Sequence, residues 1–360
     1  MTSTDELQRL ICDLVAIESV NPDLVPSGSG ESAIAAFVAS WLRDAGLEVT
    51  VVEPVPGRPS VVGVARGSGR GKSLMLNAHM DTVGAGEMES PFSPIVRDGR
   101  IYGRGALDMK ASLAAIMLAG RECKSLGLRG DVIVTAVSDE EVASLGTIAV
   151  LKEFHADYGI CAEPTGLALC IAHKGFVWLE VETTGVTAHG SRADIGVDAI
   201  ARMGPILTRV LNLANTLRIG RRHPLLGAGS IHASLIEGGV EMSTYPDRCV
   251  VKIERRTLPG ETTDAVLAEV PGAKLTLERP PSEVPPDHPL VKAMSEAAGH
   301  PQQIGVAYWM DMALMNAAGI PTAAFGPSGE GEHADVEWVD LAASETCVSV
   351  YAKAAQSVCG

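Results

Sequence analysis

No stretch of this sequence is apolar for long enough to cross a bilayer as a helix, which takes about 20 consecutive apolar residues. Its opening, MTSTDELQRLICDLVAIESV, places acidic residues early and apolar ones at Leu7, Leu10, Ile11, Leu14 and Val15. That spacing predicts a first helix rather than a secretory leader. Positive charge is scarce: 29 Lys and Arg face 44 Asp and Glu, for a formal net charge of −15. A phosphate backbone is gripped by clustered cations, so neither nucleic acid nor a membrane surface is an expected partner. Close cysteine pairs are missing too. The seven thiols, at 12, 123, 161, 170, 249, 347 and 359, are odd in number, and several sit in apolar runs. They read as reduced core residues of a cytoplasmic protein.

What is present is a chain of 360 residues, enough for a full core and for two domains. Glu31 to Ala45 carries apolar residues at helical spacing. Leu47–Val52, Ser60–Ala65 and Leu74–Asn77 read as strands, and Lys110 to Leu126 as a helix closed by Gly127. Gly130–Val137 is a strand running into Ser138-Asp139-Glu140-Glu141; Thr147–Phe154 is a helix; Tyr158–Ala162 is a strand ending in Glu163. Alternating strands and helices predict an α/β fold with a mostly parallel sheet and sites at the strands' C-terminal ends. Gly67-Ser-Gly-Arg-Gly-Lys-Ser73 resembles a phosphate loop, but Arg66 occupies the position of its first glycine and a strand follows. A hairpin turn is the expectation there.

The pattern changes at residue 174. Gly175–Thr184 alternates as a half-exposed strand, followed by a helix (Val197–Leu213), strands at Ser230–Ile236 and Arg248–Glu254, a short helix (Thr262–Val270) and a strand at Lys274–Glu278. Strand, helix, two strands, helix, strand is the order of a small α+β, ferredoxin-like unit. Pro280–Pro286 marks its exit, and the α/β pattern resumes at His288. The expected organisation is a catalytic domain of residues 1–173 and 287–360, with 174–286 inserted as a lid and dimerisation domain.

The chemistry collects at the strand ends. His79 and Asp81 are two apart after the run Ser73–Asn77, so they share a face. A carboxylate on the second ring nitrogen of a ligating imidazole fixes its tautomer. Asp108 closes the glycine-rich Gly103–Lys110 loop, and Glu140, Glu141, Glu163 and His333 complete the set. Taken alone, each piece has a plainer reading: a buried strand-end His, an N-cap Asp, a solvated acidic turn at 139–141. Taken together, two imidazoles and several carboxylates suffice for two divalent ions. Adjacent Glu140 and Glu141 cannot both face a metal along a regular strand. One can ligate while the other faces water, with Glu140 taking a proton and passing it to a leaving amine.

HMDTV, GRGALDMK, SDEE, CAEPT and GPSGEGEHADVEWV, in this order, resemble the dinuclear zinc M20 family of peptidases and amidohydrolases, which includes acetylornithine deacetylase, succinyl-diaminopimelate desuccinylase and glutamate carboxypeptidases. The resemblance spans nearly the whole chain. It implies that His79 and Glu163 bind one metal and Glu141 and His333 the other, with Asp108 bridging, Asp81 orienting His79 and Glu140 as base. It also implies a cis peptide after Asp108. Zinc is the expected metal, with cobalt and manganese as alternatives. In the inserted domain Thr187–Ser191 resembles the segment whose histidine, here His189, polarises the scissile carbonyl of the partner subunit in a homodimer. Read alone, His189 is a loop histidine. Ser243 stands where the family's GG…N-x-x-P turn has Asn, and a hydroxyl reaches less far than an amide. Arg256, in Arg-Thr-Leu-Pro259, is the candidate clamp for a substrate carboxylate, whereas Arg255 alternates to the other face. Trp309 reads as core filling and Asp311 as a helix cap.

The implied activity is hydrolysis of the amide of an N-acyl amino acid, with acetylornithine deacetylase the member named first. A dipeptidase or glutamate-carboxypeptidase-like enzyme performs the same chemistry on another acyl half. A metal-binding scaffold without catalysis is the reading from a different class, and Glu140 beside a full ligand set argues against it.

Overall fold

A computed structural model describes residues 3–360. The chain forms two units. The first takes residues up to Ile171, Val284–Ile304 and Met310–Gly360; the second takes Ala172–Glu283 and Gly305–Trp309. No turn signal in the sequence marks that short return, Gly305–Trp309, to the second unit.

The first unit is built on one mixed sheet. From one edge its strands run Glu48–Val52, Ser60–Ala65, Val132–Val137, Leu74–His79, Tyr158–Cys161 and Thr322–Ala324, with Leu169 onward after them. The four from Val132–Val137 to Thr322–Ala324 are mutually parallel, while the pairings flanking them are antiparallel. Leu74–His79 and Val132–Val137 are buried along their whole length because both faces are covered. On one face Met75, Ile133 and Val137 pack with Ala149 and Val150 of the helix Leu145–Glu153. On the other, the helix Ala111–Leu126 brings Gly120 so close to Val134 that a Cβ would meet its Cγ2 at 2.5 Å. Caps follow the sequence signals: Asp340 accepts from Ala343 N at 2.8 Å to open the last helix, Leu341–Cys359, and Gly127 (φ 62°) closes Ala111–Leu126.

The segment 67–73 is not a hairpin turn. Strand Val132–Val137 lies between the two strands it joins, so the chain crosses over, with Ser68 N donating to Leu128 O and Arg70 N to Arg129 O. Local glycines announce a turn without revealing which strand will be the neighbour.

A second, small sheet in this unit pairs Ile95–Arg97, Arg100–Tyr102, Trp338–Asp340 and Gly329–Glu330. Tyr102 lies opposite Trp338. The loop to Asp108 and the loop carrying His333 therefore leave adjacent strands.

The second unit is a four-stranded antiparallel sheet in the order Ser230–Gly238, Arg248–Thr257, Gly175–Thr184, Lys274–Arg279. In chain order that is 2-3-1-4, the ferredoxin-like arrangement. Val177, Leu179 and Val181 alternate inward to meet Met203 and Val210 of the helix Ala199–Ile219 and Val266 of Thr263–Glu269. Trp178 points to the other, exposed face.

Candidate metal centre

Parallel strands deliver their C-terminal ends to one edge of the sheet, and polar side chains converge there. His79 is the last residue of its strand, and its Nδ1 lies 2.8 Å from the carbonyl oxygen of Asp81. That bond directs Nε2 at Asp108 Oδ1, 3.0 Å away, with Glu163 Oε1 at 4.0 Å. The other oxygen of Asp108 faces a different ring: Oδ2 is 3.3 Å from His333 Nε2, which is also 3.2 Å from Glu141 Oε2. One carboxylate thus stands between two imidazoles, with one further glutamate beside each ring. The Asp108–Met109 peptide is cis. Two sets of ligand atoms lie close enough to hold an ion: His79, Glu140 and Glu163, and His79, Asp108 and Glu141.

The electrostatics call for cations. Among the described residues, Asp108, Glu140, Glu141 and Glu163 have no Lys or Arg ion pair, and Glu141 Oε1 is buried with no hydrogen-bond partner. Burial, reinforced by Glu163 and Asp311, pushes the Glu140 carboxyl well above the carboxylate range. Burial likewise raises Glu141, and Glu163 to about 8. Burial disfavours charge on His79, but Asp108, Glu163 and Asp81 outweigh it and hold the ring well above its ordinary value. Hydrogen bonds to Asp108 and Glu141 push His333 up to about 10. Protons in this cluster therefore sit where cations would replace them. Imidazole nitrogen with carboxylate oxygen is a donor set that fits zinc, cobalt or manganese.

A family model described as peptidase family M20/M25/M40 matches residues 75–357. The chain belongs to that family. It is a hydrolase of amide bonds. Its relatives include the N-formyl-4-amino-5-aminomethyl-2-methylpyrimidine deformylase of Bacillus subtilis (strain 168), 30% identical over 288 residues, which are 74% of this chain and 66% of that protein. The acetylornithine deacetylase of Proteus mirabilis (strain HI4320) is 28% identical over 378 residues, 98% of this chain and 96% of that one. Among solved structures, aminopeptidase PepT from Bacillus cereus ATCC 10987 matches with a TM-score of 0.81 at 19% identity, over 99% of both chains. A dinuclear metal-binding M20 peptidase from Bacillus subtilis matches at 0.74 and 17%, over 99% of this chain and 98% of that one. These two likenesses speak to the fold alone.

In this M20 chain the carboxylate of Asp81 works differently from the expectation. It lies 3.7 Å from His79 Nδ1, whose close partner is the Asp81 carbonyl. The carboxylate instead accepts from the backbone N–H of Glu140 at 3.0 Å and of Glu141 at 3.2 Å, and from Asn21 Nδ2 at 2.8 Å. It holds the glutamate turn. Behind it, Asn21 also donates to Asp139 at 3.0 Å, and Arg58 donates to Asp139 at 2.8 Å and to both oxygens of Glu31 at 2.7 and 2.8 Å. Asp139 has a left-handed backbone (φ 65°), which lets the chain turn sharply before Glu140. Asn21, Glu31 and Arg58 gave no local signal, since their partners are up to 118 residues away. Asp311 stands at the N-cap position of the helix Met312–Ala317, but its side chain makes no capping bond and accepts from Thr147 Oγ1 instead. Trp309 is not core filling: it is only partly buried and donates to Pro280 O at 3.1 Å.

The remaining candidates belong to the second unit. His189 is exposed, with Nδ1 2.9 Å from Ser191 Oγ, and its loop pairs with the 243–245 turn through Gly190 N to Ser243 O at 2.7 Å. Arg256 meets Glu254 through Nε at 2.8 Å and Nη2 at 3.3 Å, and its guanidinium lies 4.8 Å from the Phe176 ring centre. Arg255 is buried between Glu261 and Glu269.

Proposed function

We propose that this chain removes a small acyl group from the amine of an N-acyl amino acid, with two divalent cations at the sheet edge. The observation that carries the reading is Asp108, whose two oxygens face two different imidazoles, His79 and His333, at 3.0 and 3.3 Å. His79 and Glu163 would hold one cation, Glu141 and His333 the other, with Asp108 between them. Zinc is the first choice, since nitrogen and oxygen donors suit it, and cobalt or manganese would also be accepted. The cations, when bound, polarise the scissile carbonyl and acidify water.

The chain's own residues do the rest. Glu140 takes the proton of the attacking water and hands it to the departing amine. Asp81 fixes the backbone from which Glu140 and Glu141 project. His189 donates to the developing oxyanion of the partner subunit's substrate. Arg256, pre-oriented by Glu254 and Phe176, takes the substrate carboxylate, with Ser243 contributing a hydroxyl. A homodimer is supported by the edge strand Ser230–Gly238, where Leu235 is 57% and Ile236 52% exposed. A cytoplasmic location is supported by the free thiols of Cys12, Cys123, Cys161, Cys249, Cys347 and Cys359.

The choice of an N-acyl substrate is supported by two relatives whose names both describe removal of an acyl group from nitrogen, one of them matched along nearly its whole length. The test is free-amine release by the zinc- or cobalt-loaded protein over a panel of Nα-acyl amino acids, with N-acetylornithine included, and unblocked dipeptides. Turnover confined to acyl amino acids is the expected result. Turnover confined to dipeptides would overturn the deacylase reading in favour of a dipeptidase.

A further inference from the structure

Glu337 has no place in the scheme above, yet its side chain accepts four hydrogen bonds beside it. Its carboxylate is buried, 2% exposed, and accepts from Arg104 Nη1 at 2.7 Å and from three backbone N–H groups: Gly105 at 2.9 Å, Leu107 at 2.8 Å and Asp108 at 3.1 Å. One of those donors is the peptide nitrogen of Asp108 itself. Arg104 returns the connection. It donates to Ala334 O, the residue after His333, at 2.8 Å, and to Gly84 O at 3.1 Å. Gly103 N adds a bond to Glu337 O at 3.2 Å. The loop carrying Asp108 and the loop carrying His333 are thus tied together by one buried ion pair, and the tie lies within a few residues of the point where the two side chains meet at 3.3 Å.

Two buried charges are an expensive way to stabilise a fold, because desolvation offsets much of their attraction. Their value here is geometric. Four donors converge on one carboxylate, so a small shift of either loop breaks several bonds at once. Neither residue touches the site directly; both act through the backbone that carries Asp108 and His333.

We propose that Arg104–Glu337 is a positioning clamp that sets the Asp108–His333 spacing and with it the affinity of the cation held by Asp108, Glu141 and His333. The clamp rests on the two-cation reading above. Losing an outer partner of a metal ligand typically costs about 10–100-fold in affinity. That loss is expected for the His333-side cation, whose two ligands Asp108 and His333 both sit on clamped loops, while the cation at His79 and Glu163 shares only Asp108 and weakens no more than a few-fold.

The experiment is calorimetric and spectroscopic titration of cobalt(II) into the chelator-stripped full chain, for wild type, Glu337→Gln and Arg104→Lys. Glutamine keeps the shape but places an NH₂ donor against backbone donors. Lysine keeps the charge but loses the planar fork that reaches both Glu337 and Ala334. Two cobalt steps are expected in the wild type. In both variants one step weakens about 10–100-fold and the other stays within a few-fold, with a melting temperature close to wild type. Two unchanged steps in both variants would overturn the clamp and leave the two-cation reading intact. Equal weakening of both steps alongside a large fall in melting temperature would reduce the pair to a structural role, and so overturn it. Fewer than two cobalt ions on the wild type would overturn both readings. Should Glu337→Gln fail to fold, the Arg104→Lys titration decides alone.

Discussion

At the scale of single residues, turnover is expected to hang on Glu140. Its carboxyl is pushed up by burial and by Glu163 and Asp311, and one of its oxygens lies in a cluster with ligand atoms of His79 and Glu163. Glu140→Gln should keep two cations per chain, measured by elemental analysis, while kcat falls by about 10²–10⁴-fold. Unchanged turnover would remove Glu140 from proton transfer. His173 gives a prediction of a different kind. It is fully buried, its Nδ1 is 2.9 Å from Lys174 O, its Nε2 is without a hydrogen-bond partner, and Trp309 packs edge-on at 6.3 Å. Burial lowers its pKa from 6.5 to about 4. Between those values the unfolded chain binds a proton that the folded chain refuses, so stability falls as pH falls from about 6.5 to 4, by roughly 3 kcal/mol. Urea unfolding at pH 7 and pH 5 should show about 2 kcal/mol of that loss in the wild type and a smaller one in His173→Gln. Equal pH dependence would contradict the burial of a neutral imidazole. Residues such as His79, Glu163 and His333 were legible in the sequence because each ends a strand or sits in a glycine-rich loop beside one. Asn21, Arg58 and Glu337 were not, because their partners arrive from distant segments and no local spacing encodes them.

At the scale of elements, the decisive piece is the turn Asp139–Glu141 and what lies under it. Arg58 is 7% exposed and meets the fully buried carboxylates of Glu31 and Asp139. Arg58→Met would leave two buried anions unpaired, which costs about 3–5 kcal/mol. Chemical unfolding measures it directly, and a change near zero would mean that Asn21 and backbone donors suffice. Helices and strands followed their periodicity closely: Thr4–Ala16 buries the five apolar residues its spacing announced, and Gly175–Thr184 alternates as read. Sheet neighbours were harder. Gly67–Ser73 looked like a hairpin because its own residues favour a tight turn, whereas the strand that separates its two ends does not begin until Val132. The parallel centre was legible from alternating strands and helices. The antiparallel pairing of Ser60–Ala65 with Val132–Val137 was not, since the chain between them is long and carries other elements.

At the scale of the whole molecule, the proposed homodimer follows from the second unit. Leu235 and Ile236 lie on an edge strand whose outer backbone groups have no neighbouring strand in the sheet among the described residues. Leu235→Lys with Ile236→Lys should convert a dimer to monomer in sedimentation equilibrium, and turnover should fall with it if His189 serves the partner's site. A monomeric wild type with full turnover would sink that role. The order of the inserted unit, strand–helix–strand–strand–helix–strand, was legible because each element alternates or repeats at its own period. The central claim remains that hydrolysis requires two cations gathered by His79, Asp108, Glu141, Glu163 and His333. It is tested most directly by stripping the chain with a chelator and adding zinc back in steps while following both bound metal and hydrolysis of an N-acetyl amino acid. No hydrolysis in the stripped chain, returning to its maximum as occupancy reaches two per chain, is the predicted result. Hydrolysis that persists without metal would contradict the account.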